Sequence, residues 1–184
     1  MAFAHTPSTS DSGKGMLVII DPAIRDYDFL AASVLPGARV VVLDKNQDAI
    51  AQITAALYDA PAHRTYPYDS VHLIAPNSPG ILHFSSGDLS IQTLDKSVEK
   101  LQTWFAAEAA PHHATSLEPQ LLLYGRKVGA GQSGTELIDT LSWLTGAAVI
   151  ASKNGDRWPN TDGSYANLAF AQSVQQSYQG TFSA

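Results

Sequence analysis

The sequence predicts an α/β fold, a three-layer sandwich with a mostly parallel sheet covered by helices on both faces. Three observations predict it. Five short runs rich in Val, Ile and Leu recur along the 184 residues, amphipathic segments alternate with them, and each run closes on a turn-forming residue. Apolar runs of strand length without polar alternation are strands buried on both faces, as a parallel sheet between two helical layers requires.

Met16 to Ile20 (MLVII) is the first strand, closed by Asp21-Pro22. Tyr27 to Leu35 reads as a short helix that Pro36-Gly37 stops. Ala38 to Leu43 is the second strand and ends at Asp44. A helix follows through Tyr58, with Ile50, Ile53 and Leu57 on one stripe and Asn46 as its expected N-cap. After the proline-bearing loop Pro61 to Tyr68, Ser70 to Ala75 is the third strand, broken by Pro76-Asn77-Ser78-Pro79-Gly80. Gly80 to Phe84 and Gly87 to Ile91 suggest a hairpin about Ser85-Ser86-Gly87.

Asp95 to Ala109 reads as an amphipathic helix with Val98, Leu101, Trp104 and Phe105 turned inward. Gln120 to Tyr124 is the fourth strand, and a glycine-rich turn, Gly125 to Gly134, leads into a helix from Thr135 to Thr145. Ala147 to Ser152 is the fifth strand, and a last helix runs from Asn167 to Tyr178. The expected organisation is a flexible N-terminal arm (1–15), an α/β domain (16–152) and a C-terminal extension (153–184).

Composition narrows the function. With 45% hydrophobic and 15% charged residues the chain can bury a core, so composition argues against wholesale disorder. A net charge of -6 argues against a general nucleic-acid binder, which needs a basic face. The absence of cysteine removes disulfides, thiolate metal sites and cysteine nucleophiles. No run reaches the roughly 18 apolar residues of a membrane span, and residues 1–15 lack the basic and apolar regions of an export signal. A cytoplasmic location is expected.

The stretches LVIIDPAIRDYDFL, GARVVVLDKNQDAIAQI, SVHLIAPNSPGIL and LLLYGRKVGAGQSGTELIDTLSWLTGAAVIAS follow one another over residues 16–152. In that order they resemble the bacterial family called domain of unknown function 4347, common in cyanobacteria and often found in large surface or secreted proteins. The resemblance implies a caspase-like, flavodoxin-type doubly wound topology. In the caspase-type pattern a His-Gly pair follows the third strand and a Tyr-Gly-Cys follows the fourth. Here Pro76-Asn77 follows the third, and Gly125 is followed by Arg126. Proline takes no proton and arginine stays protonated. The resemblance therefore implies no catalytic residues, with Pro76, Asn77, Gly125 and Arg126 as the rim of a former active site.

Other constellations are weaker. Gly129-Ala130-Gly131-Gln132-Ser133-Gly134 matches a dinucleotide-binding pattern, but it lies on the fourth strand, starts four residues late and lacks the following acid. A loop that lets the helix pack close to the sheet explains it better. Ser133 has no base at a linking spacing among His72, His83, His112 and His113. His72 reads as a packed strand histidine. His112-His113 with Glu118 makes an incidental surface pair. Asp21, Asp44 and Asp48 near strand ends make at most a weak acidic site, and turn and capping chemistry explains Asp44 to Asp48 without function. Trp158, Tyr165 and Phe170, aromatics in a polar extension, are the expected interface anchors.

These readings point to a non-catalytic, protein-binding scaffold subunit of a larger assembly, with neither cofactor nor metal. It would bind through its arms or through the rim, where Arg126 would hold a partner carboxylate. The rival is a hydrolase with an unorthodox nucleophile, or a protein binding a nucleotide or small ligand in the strand-end cleft and the Gly129–Gly134 loop.

Overall fold

The computed structural model describes residues 15–59, 68–105, 118–152, 156–159, 168–180 and 182. Five parallel strands form the central sheet: β1 (Met16–Ile20), β2 (Arg39–Val42), β3 (Ser70–Ile74), β7 (Gln120–Tyr124) and β8 (Ala148–Ala151). Their spatial order is β2-β1-β3-β7-β8. Numbered within this sheet alone, that order is 2-1-3-4-5, the flavodoxin-type arrangement, which reverses direction between β1 and β3. The predicted doubly wound α/β class is the observed one.

Every residue of β1 and β3 is buried, because helices cover both faces. One face carries α2 (Ala49–Tyr58), α3 (Val98–Leu101) and α4 (Gly131–Thr145), whose Ile53, Leu57, Leu101, Leu137 and Leu141 pack on Leu17, Ile19, Leu73 and Leu123. Trp104 and Phe105 join this core, as their helical stripe predicts. The other face carries α1 (Tyr27–Ala32) and α5 (Gln172–Ser177), with Leu30, Phe170, Tyr178 and Phe182 over Val18, Ile20, Ile74 and Tyr124. Alternate residues of each strand thus serve alternate cores.

Local chemistry moves several boundaries. The hairpin gains a strand: β4 (Asn77–Ser78), β5 (Ile81–Phe84) and β6 (Gly87–Ser90) form a small antiparallel sheet. The N-cap of α2 is Asp48, whose carboxylate accepts from Ala51 N at 2.7 Å. Asn46 is engaged earlier, its N–H and side-chain amide both donating to Asp44 Oδ1. Helix α4 begins at Gly131, four residues before the predicted start, and ends on Gly146 in the left-handed region (φ 71°), a glycine C-cap. A 3-10 turn (Leu94–Ser97) opens the segment predicted as one long helix, and α3 itself covers a single turn. Residues 106–109 of that helix, the arm up to residue 14, His112-His113 and Tyr165 lie outside the described residues. Among the described residues no helix is long and apolar enough to cross a membrane.

Candidate functional site at the strand ends

In doubly wound sheets the crevice beyond the carboxyl ends of the strands is where ligands bind. Here it lies beyond β1, β3 and β7, and the rim residues Asn77 and Gly125 meet in it. A Cβ on Gly125 (φ 148°) would fall 1.7 Å from Asn77 Nδ2, so only glycine leaves room for that side chain. The Asn77 amide nitrogen donates to three carbonyl oxygens: Ala75 at 3.2 Å, Tyr124 at 3.1 Å and Phe182 at 2.6 Å. Its backbone N–H also donates to Phe182 O, at 2.8 Å. Three carbonyls around one terminus of the amide fix its orientation, since the amide oxygen offers them nothing.

The crevice is therefore closed from within. Phe182 is fully buried and joins an aromatic cluster about Tyr124, with ring centroids of Trp158 at 5.9 Å, Phe170 at 5.8 Å and Phe182 at 6.4 Å from it. Phe170 is 2% exposed and Trp158 is half-buried. Both residues expected as free interface anchors are thus turned onto the sheet, because the β3–β7 surface would otherwise lack an apolar cover. Pro76, Asn77 and Gly125 are buried as well, and of the four rim residues Arg126 alone stands exposed, beside exposed Lys127.

Below the crevice, His72 is buried between Tyr124 Oη (2.8 Å from Nδ1) and Ser70 Oγ (2.9 Å from Nε2). Tyr124 Oη accepts from Ala169 N at 3.2 Å, which leaves its own hydrogen for His72 Nδ1 and places the ring hydrogen on Nε2, facing Ser70. Burial pushes the His72 pKa down to about 3 and the Tyr124 phenol up, so both stay neutral. The chain Ala169–Tyr124–His72–Ser70 anchors the C-terminal segment to the sheet.

The other sequence candidates resolve into structure. Gly129 and Gly134 sit where the helix meets the strand ends: a Cβ on Gly134 would lie 2.4 Å from the Gly129 carbonyl carbon, and one on Gly129 3.0 Å from Ser152 O. Ser133 Oγ lies 3.4 Å from Pro79 O and has no histidine partner among the described residues. Asp21 accepts from Ser85 N (2.8 Å), Ser85 Oγ (2.6 Å) and Ala23 N (2.8 Å), tying the small sheet to β1. Asp44 holds its turn, and the Asn46 N–H keeps its carboxyl below the usual range. Asp48 caps α2 and lies 3.4 Å from Lys100 Nζ. Among the described residues no group of His, Asp or Glu is arranged to hold a metal ion.

Sequence reasoning missed one constellation. Ser78 Oγ lies 2.8 Å from His83 Nε2, and His83 Nδ1 lies 2.8 Å from Asp88 Oδ1. The signal was the even spacing Ser78-x4-His83-x4-Asp88, legible only once a two-residue strand is allowed before the Pro79-Gly80 turn.

A family model described as a domain of unknown function (DUF4347) matches residues 17–182. No curated protein and no solved structure matches the chain.

Proposed function

The chain belongs to the DUF4347 family, and from that premise we propose that it is a protein-binding scaffold domain, a subunit of a larger assembly, whose strand-end crevice is non-catalytic. The observation that carries this reading is the closed strand-end crevice. The place where a doubly wound sheet offers a ligand site is filled by the Asn77 amide and the Phe182 backbone and ring. On the caspase-type comparison, Pro76 and Arg126 replace base and nucleophile, which agrees with a crevice occupied by the chain's own Asn77 and Phe182.

Arg126 is the contact element. It is exposed at the end of β7, next to Lys127, with no ion-pair partner among the described residues. A guanidinium so placed suits a carboxylate on a partner protein, and arginine is enriched among residues that dominate interfaces. The nucleotide reading finds less support, because Gly129 and Gly134 are engaged in helix-to-strand packing.

The test is affinity capture from native extract with the full chain and its Arg126→Glu variant. A stoichiometric partner held by the first and weakened about 30-fold or more in the second is expected, as loss of an interface arginine worth ~2 kcal/mol would give. Equal retention by both places the contact away from the rim. No stoichiometric partner for either chain overturns the scaffold reading.

A further inference from the structure

We propose that Ser78, His83 and Asp88 form an acyl-transfer site on the small antiparallel sheet, separate from the closed crevice and beyond the scaffold reading. Ser78 is the nucleophile, His83 the general base and Asp88 the residue that positions the imidazole. The preferred substrates are esters and similarly activated acyl groups.

Geometry carries the inference. Ser78 Oγ to His83 Nε2 and His83 Nδ1 to Asp88 Oδ1 are both 2.8 Å, within the range that links nucleophile, base and orienting group. The hydrogen pattern follows from the acceptor. An ionised Asp88 only accepts, so the His83 hydrogen resides on Nδ1, Nε2 presents its lone pair, and Ser78 Oγ–H donates to it. That is the protonation state a serine nucleophile needs.

The placement is rigid. The three residues sit on β4, β5 and β6 in turn, with His83 paired directly to Asp88 across the strands and Ser78 on the diagonal. Neighbouring Asn77 fixes β4 from its other side, and Asp21 holds Ser85 at the hairpin end. Ser78 and His83 are half-buried and Asp88 is exposed, which places the three residues at the protein surface. The first turn of α4 abuts the Pro79-Gly80 turn that follows Ser78, and its N-cap residue Ala130 gives no side-chain acceptor. Its backbone N–H groups are the candidate donors for a developing oxyanion.

In the first half-reaction Ser78 Oγ bonds to the acyl carbon while its proton passes to His83 Nε2. The tetrahedral intermediate expels the alkoxide or phenoxide, which takes that proton from His83. Water then attacks the acyl-serine with His83 again as base, releasing the acid and restoring Ser78. Asp88 is 48% exposed, and in that high-dielectric setting it stabilises the imidazolium weakly. This is why activated esters, not amides, are the substrate class.

The experiment treats the full chain with a fluorophosphonate probe, maps the modified peptide by mass spectrometry, and follows p-nitrophenol release from p-nitrophenyl acetate. Stoichiometric phosphonylation of Ser78 with loss of fluoride is expected, together with a burst of about one equivalent of p-nitrophenol. Ser78→Ala abolishes both, and His83→Asn slows both about 100-fold or more. Asp88→Asn slows them about 10-fold, while Asp88→Glu recovers most of the rate, a rescue that a purely structural contact would not give. An unlabelled Ser78 in the unmodified chain, or labelling indifferent to His83→Asn, overturns the proposal. The unmodified chain decides the first point alone, so an unstable variant leaves the test intact.

Discussion

Asn77 joins three parts of the chain with one amide group: the end of β3, the end of β7 and the carbonyl of Phe182. Replacing it by the nearly isosteric aspartate would direct a carboxylate at three carbonyl oxygens. Asn77→Asp should therefore destabilise the fold by about 3 kcal/mol, as expected for an uncompensated buried charge, measured by urea unfolding. Gly125→Ala should be at least as damaging, because the added methyl overlaps the Asn77 side chain and the backbone is in a glycine conformation. At this scale the sequence was half legible. Asn77 and Gly125 stood out as strand-end residues, and His72 as a packed one. The partner that gives Asn77 its role, Phe182, is 105 residues away, and no local pattern announces it. Trp158 and Phe170 misled for the same reason, since a polar neighbourhood in sequence says nothing of the sheet face those rings cover.

The strands of the central sheet were legible because burial on both faces leaves an unbroken apolar signature, and their predicted bounds differ from the observed ones by at most a residue or two. Elements set by a single hydrogen bond or close approach were not. Strand β4 is two residues long and carries no period, and the start of α4 depends on Gly129 and Gly134 letting backbone touch backbone. The C-terminal segment is the element with the largest effect for its size. Removing the fully buried ring in Phe182→Ala should cost about 3 kcal/mol. The same change should speed proteolytic cleavage beyond Tyr178, read by mass spectrometry of limited digests.

The whole molecule is a sheet between two cores, and its stability should depend on pH through the charge state of one histidine. His72 has an ordinary value of 6.5, held in the folded state at about 3 by burial. Below the ordinary value the unfolded chain binds a proton that the folded chain refuses, so this group lowers stability as pH falls through that window. Between pH 7 and pH 5 the loss attributable to His72 is about 2 kcal/mol. The comparison that checks it is the pH dependence of urea unfolding for the natural chain and for His72→Gln, which should lack that share of the slope. A variant with an unchanged slope would show that His72 is protonated in place.

Time enters through the same architecture. As a chain is made from its N-terminus, the three central strands that carry Val18, Ile20, Ile74, Leu122 and Tyr124 are complete once residue 124 is made, yet their cover of Phe170, Tyr178 and Phe182 is still to come. At about 5–20 residues per second, that apolar face waits several seconds for its lid. The nascent domain is then a natural client for chaperones, and the delay is set by the distance along the chain between the strands and the rings that cover them.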